Sequence, residues 1–180
     1  MVLLRGFSTL PNLPDFAATY KLRPAAIASY PMYRGLARVV NMSVLNTGRT
    51  FAQALTTLET NFSKYNFFFL HYKPADAAGE DGNFDAKVNT LQKLDATLPR
   101  IMDLQPDVLI VCGDHSTPAK LAAHSWHPVP VMIHSQHTLH AGSDSFSEHA
   151  CAAGTLGRIK ATDLMFLSLA HAGKLNKFGP

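Results

Sequence analysis

Cysteine is scarce in this chain of 180 residues, with only Cys112 and Cys151. Neither sits in a CxxC spacing and no secretory leader is recognisable, so both thiols are expected to be reduced, in a cytoplasmic protein. Long apolar runs are lacking as well. The run Phe67-Phe68-Phe69-Leu70 stops at His71, far short of the roughly 20 residues a membrane-spanning helix needs, so no membrane partner is expected. A strong surplus of one charge is also missing: 16 Lys and Arg face 13 Asp and Glu, a net charge of +3. These basic residues are scattered without a block, which gives no support to nucleic acid as a partner and suits a small anionic substrate. The chain has no internal repeat and no low-complexity tract. It is 47% hydrophobic and 16% charged, enough apolar material for a sizeable core in a single domain over residues 1–180.

One stretch organises the rest. Asp107-Val108-Leu109-Ile110-Val111-Cys112-Gly113-Asp114-His115-Ser116-Thr117-Pro118 is an apolar run that ends in a carboxylate beside an imidazole. Val108 to Cys112 is aliphatic without alternation, as expected of a central parallel strand covered on both faces, and Gly113 frees the backbone to turn. Further short buried strands are expected at Pro24 to Ala28, Ser43 to Leu45, Phe67 to Leu70 and Val129 to Ile133. Helical spacing joins Met32, Leu36, Val39 and Val40, with Asn41 at the end. It returns in Phe51, Leu55, Leu58 and Phe62 behind a capping Thr50. A longer helical pattern runs from Phe84 to Ile101, with Pro99 expected to kink or restart it, and Thr162 to Ala172 reads as a helix with a wide buried face. Pro11 and Pro14 break Phe7 to Tyr20 into an excursion, and Lys73 to Gly82 reads as a polar, glycine-containing loop. Strands alternating with helices argue for an α/β fold, mainly a parallel sheet with helices on both faces. Because Met1-Val2-Leu3-Leu4 is already strand-like, an N-terminal part is expected to be missing.

The chemistry-bearing residues follow the strands. Asp114 and His115 stand at a strand's C-terminal end, the edge where open α/β sheets bind ligands. Asp76 and Glu80 follow the Phe67 to Leu70 strand, so two acidic loops are expected to converge on one edge. With His124, brought back by a turn over Ala119 to Ala123, they form a mixed nitrogen and oxygen set suited to a divalent ion. Asp81, before the long helix, reads as a solvated turn and cap. His137, His140, His149 and His171 are expected at the surface, and His127, between Trp126 and Pro128, in packing. Arg5, Arg34 and Arg158 each adjoin a glycine, where a guanidinium can grip a bound anion, but a lone Arg-Gly is also a common turn.

The string Gly113-Asp114-His115-Ser116-Thr117-Pro118, with His124, Pro128-Val129-Pro130 and Gly157-Arg158, resembles the C-terminal part of cofactor-independent phosphoglycerate mutase of the archaeal type, in the alkaline phosphatase superfamily. The resemblance extends through Leu3 to Gly6, Ala25 to Ala28, Arg34-Gly35 and Asp76 to Lys87. It implies an alkaline phosphatase-like fold, N-terminally truncated, and two divalent metal ions (manganese, zinc or magnesium). By position, Asp76, Glu80 and His124 would hold one ion, and Asp114 with His115 would contribute to the other. Arg5 and Arg34 match basic positions near the substrate's phosphate and carboxylate. The implied activity is interconversion of 2- and 3-phosphoglycerate, a glycolytic step, through a phosphoserine intermediate.

Two features depart from the pattern. Glu80 stands where the pattern has a histidine ligand, which favours a harder ion. No serine lies in a recognisable nucleophile context, Ser116 reading as part of the metal-loop turn, so no catalytic residue is assigned. The 180 residues alone are expected to show no mutase turnover. A metal-dependent phosphatase or phosphonate-processing enzyme, and an inactive metal-binding fragment, are the alternatives. An exposed sheet edge or face would permit a homodimer.

Overall fold

The computed structural model describes residues 9–138 and 144–175. The chain divides into two compact units, Met1–Lys73 and Pro74–Pro180.

In the first unit, Asp15 caps the short helix α1 (Phe16–Tyr20), its carboxylate accepting from the Ala18 N–H at 2.7 Å. That bond first, and the Asn41 amide second, hold the Asp15 carboxyl below its usual range. Strand β1 (Pro24–Ile27) is the centre of the unit. Ala25, Ala26, Ile27 and Ala28 are all fully buried, as a strand covered on both faces must be. Helix α2 (Pro31–Val39) starts with proline in its first turn and ends before Asn41, whose φ of 57° closes it. Strand β2 (Ser43–Val44), helix α3 (Phe51–Asn61) and strand β3 (Phe67–Leu70) complete the unit. Both β2 and β3 pair parallel with β1, in the order β2-β1-β3. The chain crosses first one way and then the other, so right-handed crossovers put α2 and α3 on opposite faces. Leu55 and Leu58 of α3 are buried, and a fully buried Leu contributes about 1.5–3 kcal/mol. Met32 and Leu36 are more exposed than the α2 pattern implies, at 59% and 50%.

The second unit begins with a helix where a loop was expected. Helix α4 (Pro74–Glu80) contains both Asp76 and Glu80, which the four-residue spacing sets on one face. Gly82, at φ +68°, ends it. Asn83, rather than Asp81, caps the next helix, α5 (Phe84–Asp95), accepting from the Ala86 N–H at 2.9 Å. Helix α6 (Leu98–Met102) restarts with Pro99 in its first turn. Strand β4 (Val108–Cys112) then pairs antiparallel with β5 (Val131–Ser135), from Val108 opposite Ser135 to Cys112 opposite Val131. The parallel pairing expected of β4 is therefore not observed in this unit. Its residues are half-buried, with Cys112 exposed. An unbroken aliphatic run signals strand strongly and the sense of its pairing hardly at all. Helices α7 (Glu148–Ala152) and α8 (Asp163–His171) follow. In α8 Leu169 is buried while Phe166 is 59% exposed, so the buried face is narrower than expected. Among the described residues no helix is long and apolar enough to cross a membrane.

Candidate metal centre

Three short segments of the second unit bring ionisable groups together. The first is α4, which supplies Asp76 and Glu80. The second is the turn after β4, where Gly113 releases the chain and Asp114 and His115 follow. The third is the return of the loop. Pro118 accepts from the Leu121 and Ala122 N–H groups, and the Ser125 N–H donates back to the Ser116 carbonyl at 2.8 Å. That bridge between Ser116 and Ser125 closes the loop and sets His124 beside His115, ring centroids 4.0 Å apart.

His124 Nε2 lies 3.4 Å from Glu80 Oε1 and 3.7 Å from Asp76 Oδ1. His115 Nε2 lies 3.5 Å from Asp114 Oδ2, and His115 Nδ1 3.8 Å from Asp76 Oδ1. One donor atom from each of Asp76, His115 and His124 falls within a common 4.8 Å. Donors arranged tetrahedrally about 2.0–2.1 Å from a zinc ion stand about 3.4 Å apart. The observed separations fit that with small adjustment, and imidazole nitrogen with carboxylate oxygen is a donor set that suits borderline divalent ions. Asp76 is the most sheltered, its side chain 16% exposed against 54% for His124 and 48% for both Glu80 and Asp114. The cluster therefore faces solvent on one side and is anchored at Asp76.

A layer beneath the ionisable groups had no role in the sequence reading. The buried Thr117 donates its hydroxyl to Asp76 Oδ1 at 2.6 Å and lies 3.0 Å from His115 Nδ1. Lys87, on α5, donates its ammonium to the Thr117 carbonyl. Gly79 lets α4 approach the same carbonyl: a Cβ there would fall 2.3 Å from Thr117 O. A glycine inside a helix, three residues before the glycine that terminates it, is the one sequence signal that marks this contact. Beside the cluster, partial desolvation foremost, although the residue as a whole is exposed, and the Asp114 charge second hold the Cys112 thiol above its usual pKa.

The remaining candidates lie elsewhere. Arg34 is half-buried on α2 in the first unit, while Arg5 and His140 lie outside the described residues. Arg158 is exposed after Gly157, whose φ is +60°. His137 and His149 are exposed as expected. His171 departs from that expectation: it is half-buried, with Nδ1 3.1 Å from the hydroxyl of the buried Ser135. His127 stacks on Trp126 at 4.8 Å, but the indole is 86% exposed, so this is surface packing.

The chain is similar to several known proteins. A family model described as metalloenzyme superfamily matches residues 2–171. Proteins named probable 2,3-bisphosphoglycerate-independent phosphoglycerate mutase from Thermotoga petrophila and Thermus thermophilus are 52% and 49% identical to it, over 98% of this chain and 44% of their own. The chain thus spans less than half the length of the curated relatives it matches. A solved structure of a protein from Pyrococcus horikoshii superposes with a TM-score of 0.92 at 28% identity, over 98% of this chain and 57% of that one. A cofactor-independent phosphoglycerate mutase from Thermoplasma acidophilum, 20% identical, superposes with a TM-score of 0.73 over 91% of this chain and 40% of its own. The second likeness bears on the fold alone, and it is the α/β fold that the resemblance in sequence implied.

Proposed function

The chain belongs to the metalloenzyme superfamily, and from that premise we propose that it supplies the metal-binding portion of a phosphoglycerate mutase. The reaction is interconversion of 2- and 3-phosphoglycerate, in cytoplasmic glycolysis. The observation that carries the reading is the convergence of Asp76, His115 and His124 within 4.8 Å, with Glu80 3.4 Å from His124 on one side and Asp114 3.5 Å from His115 on the other, in a chain whose relatives bear that name at about half identity. Asp76, Glu80 and His124 hold one ion, and Asp114 with His115 contributes to a second, with manganese, zinc or magnesium as the ions. Two such ions, when bound, neutralise charge on a transferring phosphoryl group and raise the nucleophilicity of an oxygen.

This chain's own residues then do three things. Asp76, sheltered and hydrogen-bonded by Thr117, fixes the position of the carboxylate. Glu80 and His124, on the exposed side, leave room for a small phosphorylated substrate. By the resemblance in sequence, Arg5 and Arg34 are proposed to bind a substrate's phosphate and carboxylate, as guanidinium groups do bidentately. The exposed apolar residues Phe84, Val88 and Leu91 of α5 support a homodimer.

Mutase and phosphatase turnover, each measured on this protein with added manganese, test the reading against its alternatives. The proposal expects this chain to bind metal but, alone, to turn over no phosphoglycerate, and turnover to appear when it is joined to a segment that supplies a nucleophilic serine to accept the phosphoryl group. Hydrolysis of phosphate esters without isomerisation would favour the phosphatase reading. Bound metal with neither activity even in that joined protein would favour a metal-binding module, and failure to bind any divalent ion would overturn the proposal.

A further inference from the structure

Thr117 is buried, 4% exposed, yet it is not among the residues that would touch an ion. Its hydroxyl carries one proton. An ionised carboxylate can only accept, so the 2.6 Å contact to Asp76 Oδ1 uses that proton. The 3.0 Å contact to His115 Nδ1 must then run the other way, with Nδ1–H donating to the hydroxyl oxygen. A neutral imidazole protonated at Nδ1 has its lone pair at Nε2. Nε2 is the nitrogen that faces Asp114 Oδ2, at 3.5 Å, whereas Nδ1 is the one near Asp76.

We propose that Thr117 is a positioning residue that fixes the tautomer of His115. It thereby assigns that imidazole to the Asp114 side of the centre, leaving Asp76, Glu80 and His124 as the other donor set. One hydroxyl serves both sets at once, by orienting the Asp76 carboxylate and by selecting which nitrogen of His115 is available. Groups that hydrogen-bond a ligand's far side commonly set its orientation and basicity. Thr117 is itself held from behind, by the Lys87 ammonium on its carbonyl and by the close approach of Gly79. Its place is thus fixed by α4 and α5 rather than by its own loop alone. The inference rests on the metal-site reading for its purpose, though the tautomer can be read without any metal.

Nitrogen-15 spectra of the imidazole rings in the metal-free protein show which nitrogen of His115 carries the proton, and zinc titration gives the affinity. The wild type and Thr117→Ser are expected to hold the proton at Nδ1. Thr117→Val, nearly the same shape without the hydroxyl, is expected to shift it towards Nε2 and to lose 10–100-fold in zinc affinity, with an unchanged circular dichroism spectrum. A Thr117→Val protein with wild-type tautomer and wild-type affinity would overturn the inference. Should that variant fail to fold, the wild type decides alone, since a proton at Nε2 of His115 contradicts it. A wild type that shows the expected tautomer and binds no zinc would instead sink the metal-site reading while leaving the role of Thr117 intact.

Discussion

Gly79 lies inside α4, where a glycine ordinarily costs about 1 kcal/mol relative to alanine. Here the missing side chain is what allows the Thr117 carbonyl to sit against the helix. A Cβ would fall 2.3 Å from that backbone oxygen, and 3.1 Å from both Lys87 Nζ and Thr117 Cγ2. The lysine end can move, but the carbonyl cannot without carrying the ligand loop with it. Gly79→Ala is therefore expected to be destabilising in spite of its better helix propensity. Overpacking of about 1–3 kcal/mol outweighs the gain and leaves a net loss of up to about 2 kcal/mol. Urea denaturation checks this, and a stabilised Gly79→Ala protein would contradict the close contact. The ionisable residues Asp76, Glu80, Asp114, His115 and His124 were legible in the sequence because charged groups next to apolar strands demand an explanation. Thr117 was not, because a neutral hydroxyl in a turn makes no such demand until its partners are seen.

Elements were legible where local chemistry and packing agree. Thr50 accepts from the Gln53 N–H at 3.2 Å, and the Gln53 side chain accepts from the Thr50 N–H at 3.2 Å, completing a capping box for α3. The cap and the spacing of the buried Leu55 and Leu58 point to the same helix. Thr50→Ala removes one half of the box and is expected to lower stability by about 1 kcal/mol, measured as a shifted urea midpoint with an unchanged slope. An unchanged midpoint would mean that α3 is held by tertiary packing alone. Elements were misread where composition and geometry conflict. Pro74 to Gly82 holds two glycines and three acidic residues, the composition of a loop, yet α4 forms there. Pro74 stands at its start, Ala77 and Ala78 are good helix formers, and Gly82 terminates it at positive φ. The helical form matters chemically, because it sets Asp76 and Glu80 one turn apart, both within 4 Å of His124. Strand β4 was legible as a strand, and so was its partner near Val131, but the antiparallel sense of their pairing across some twenty residues left no local trace.

At the scale of the molecule, the alternation of strand and helix gave the α/β class, and the three-stranded parallel sheet around β1 carries it. All five candidate ligands fall in the second unit, Pro74–Pro180. They come from three short segments, 76–80, 114–115 and the loop return at His124, which α4, β4 and the Ser116–Ser125 bridge hold in place. The central claim, that these groups bind divalent metal, is therefore tested most directly by calorimetric titration. Zinc or manganese would be titrated into the wild type, Asp76→Asn and Asp114→Asn, with folding of each checked by circular dichroism. The account predicts saturable binding by the wild type, at least a tenfold loss of affinity in Asp76→Asn, and loss of binding on the His115 side in Asp114→Asn. Affinity in the two folded variants equal to that of the wild type, or no binding by the wild type at all, would contradict it.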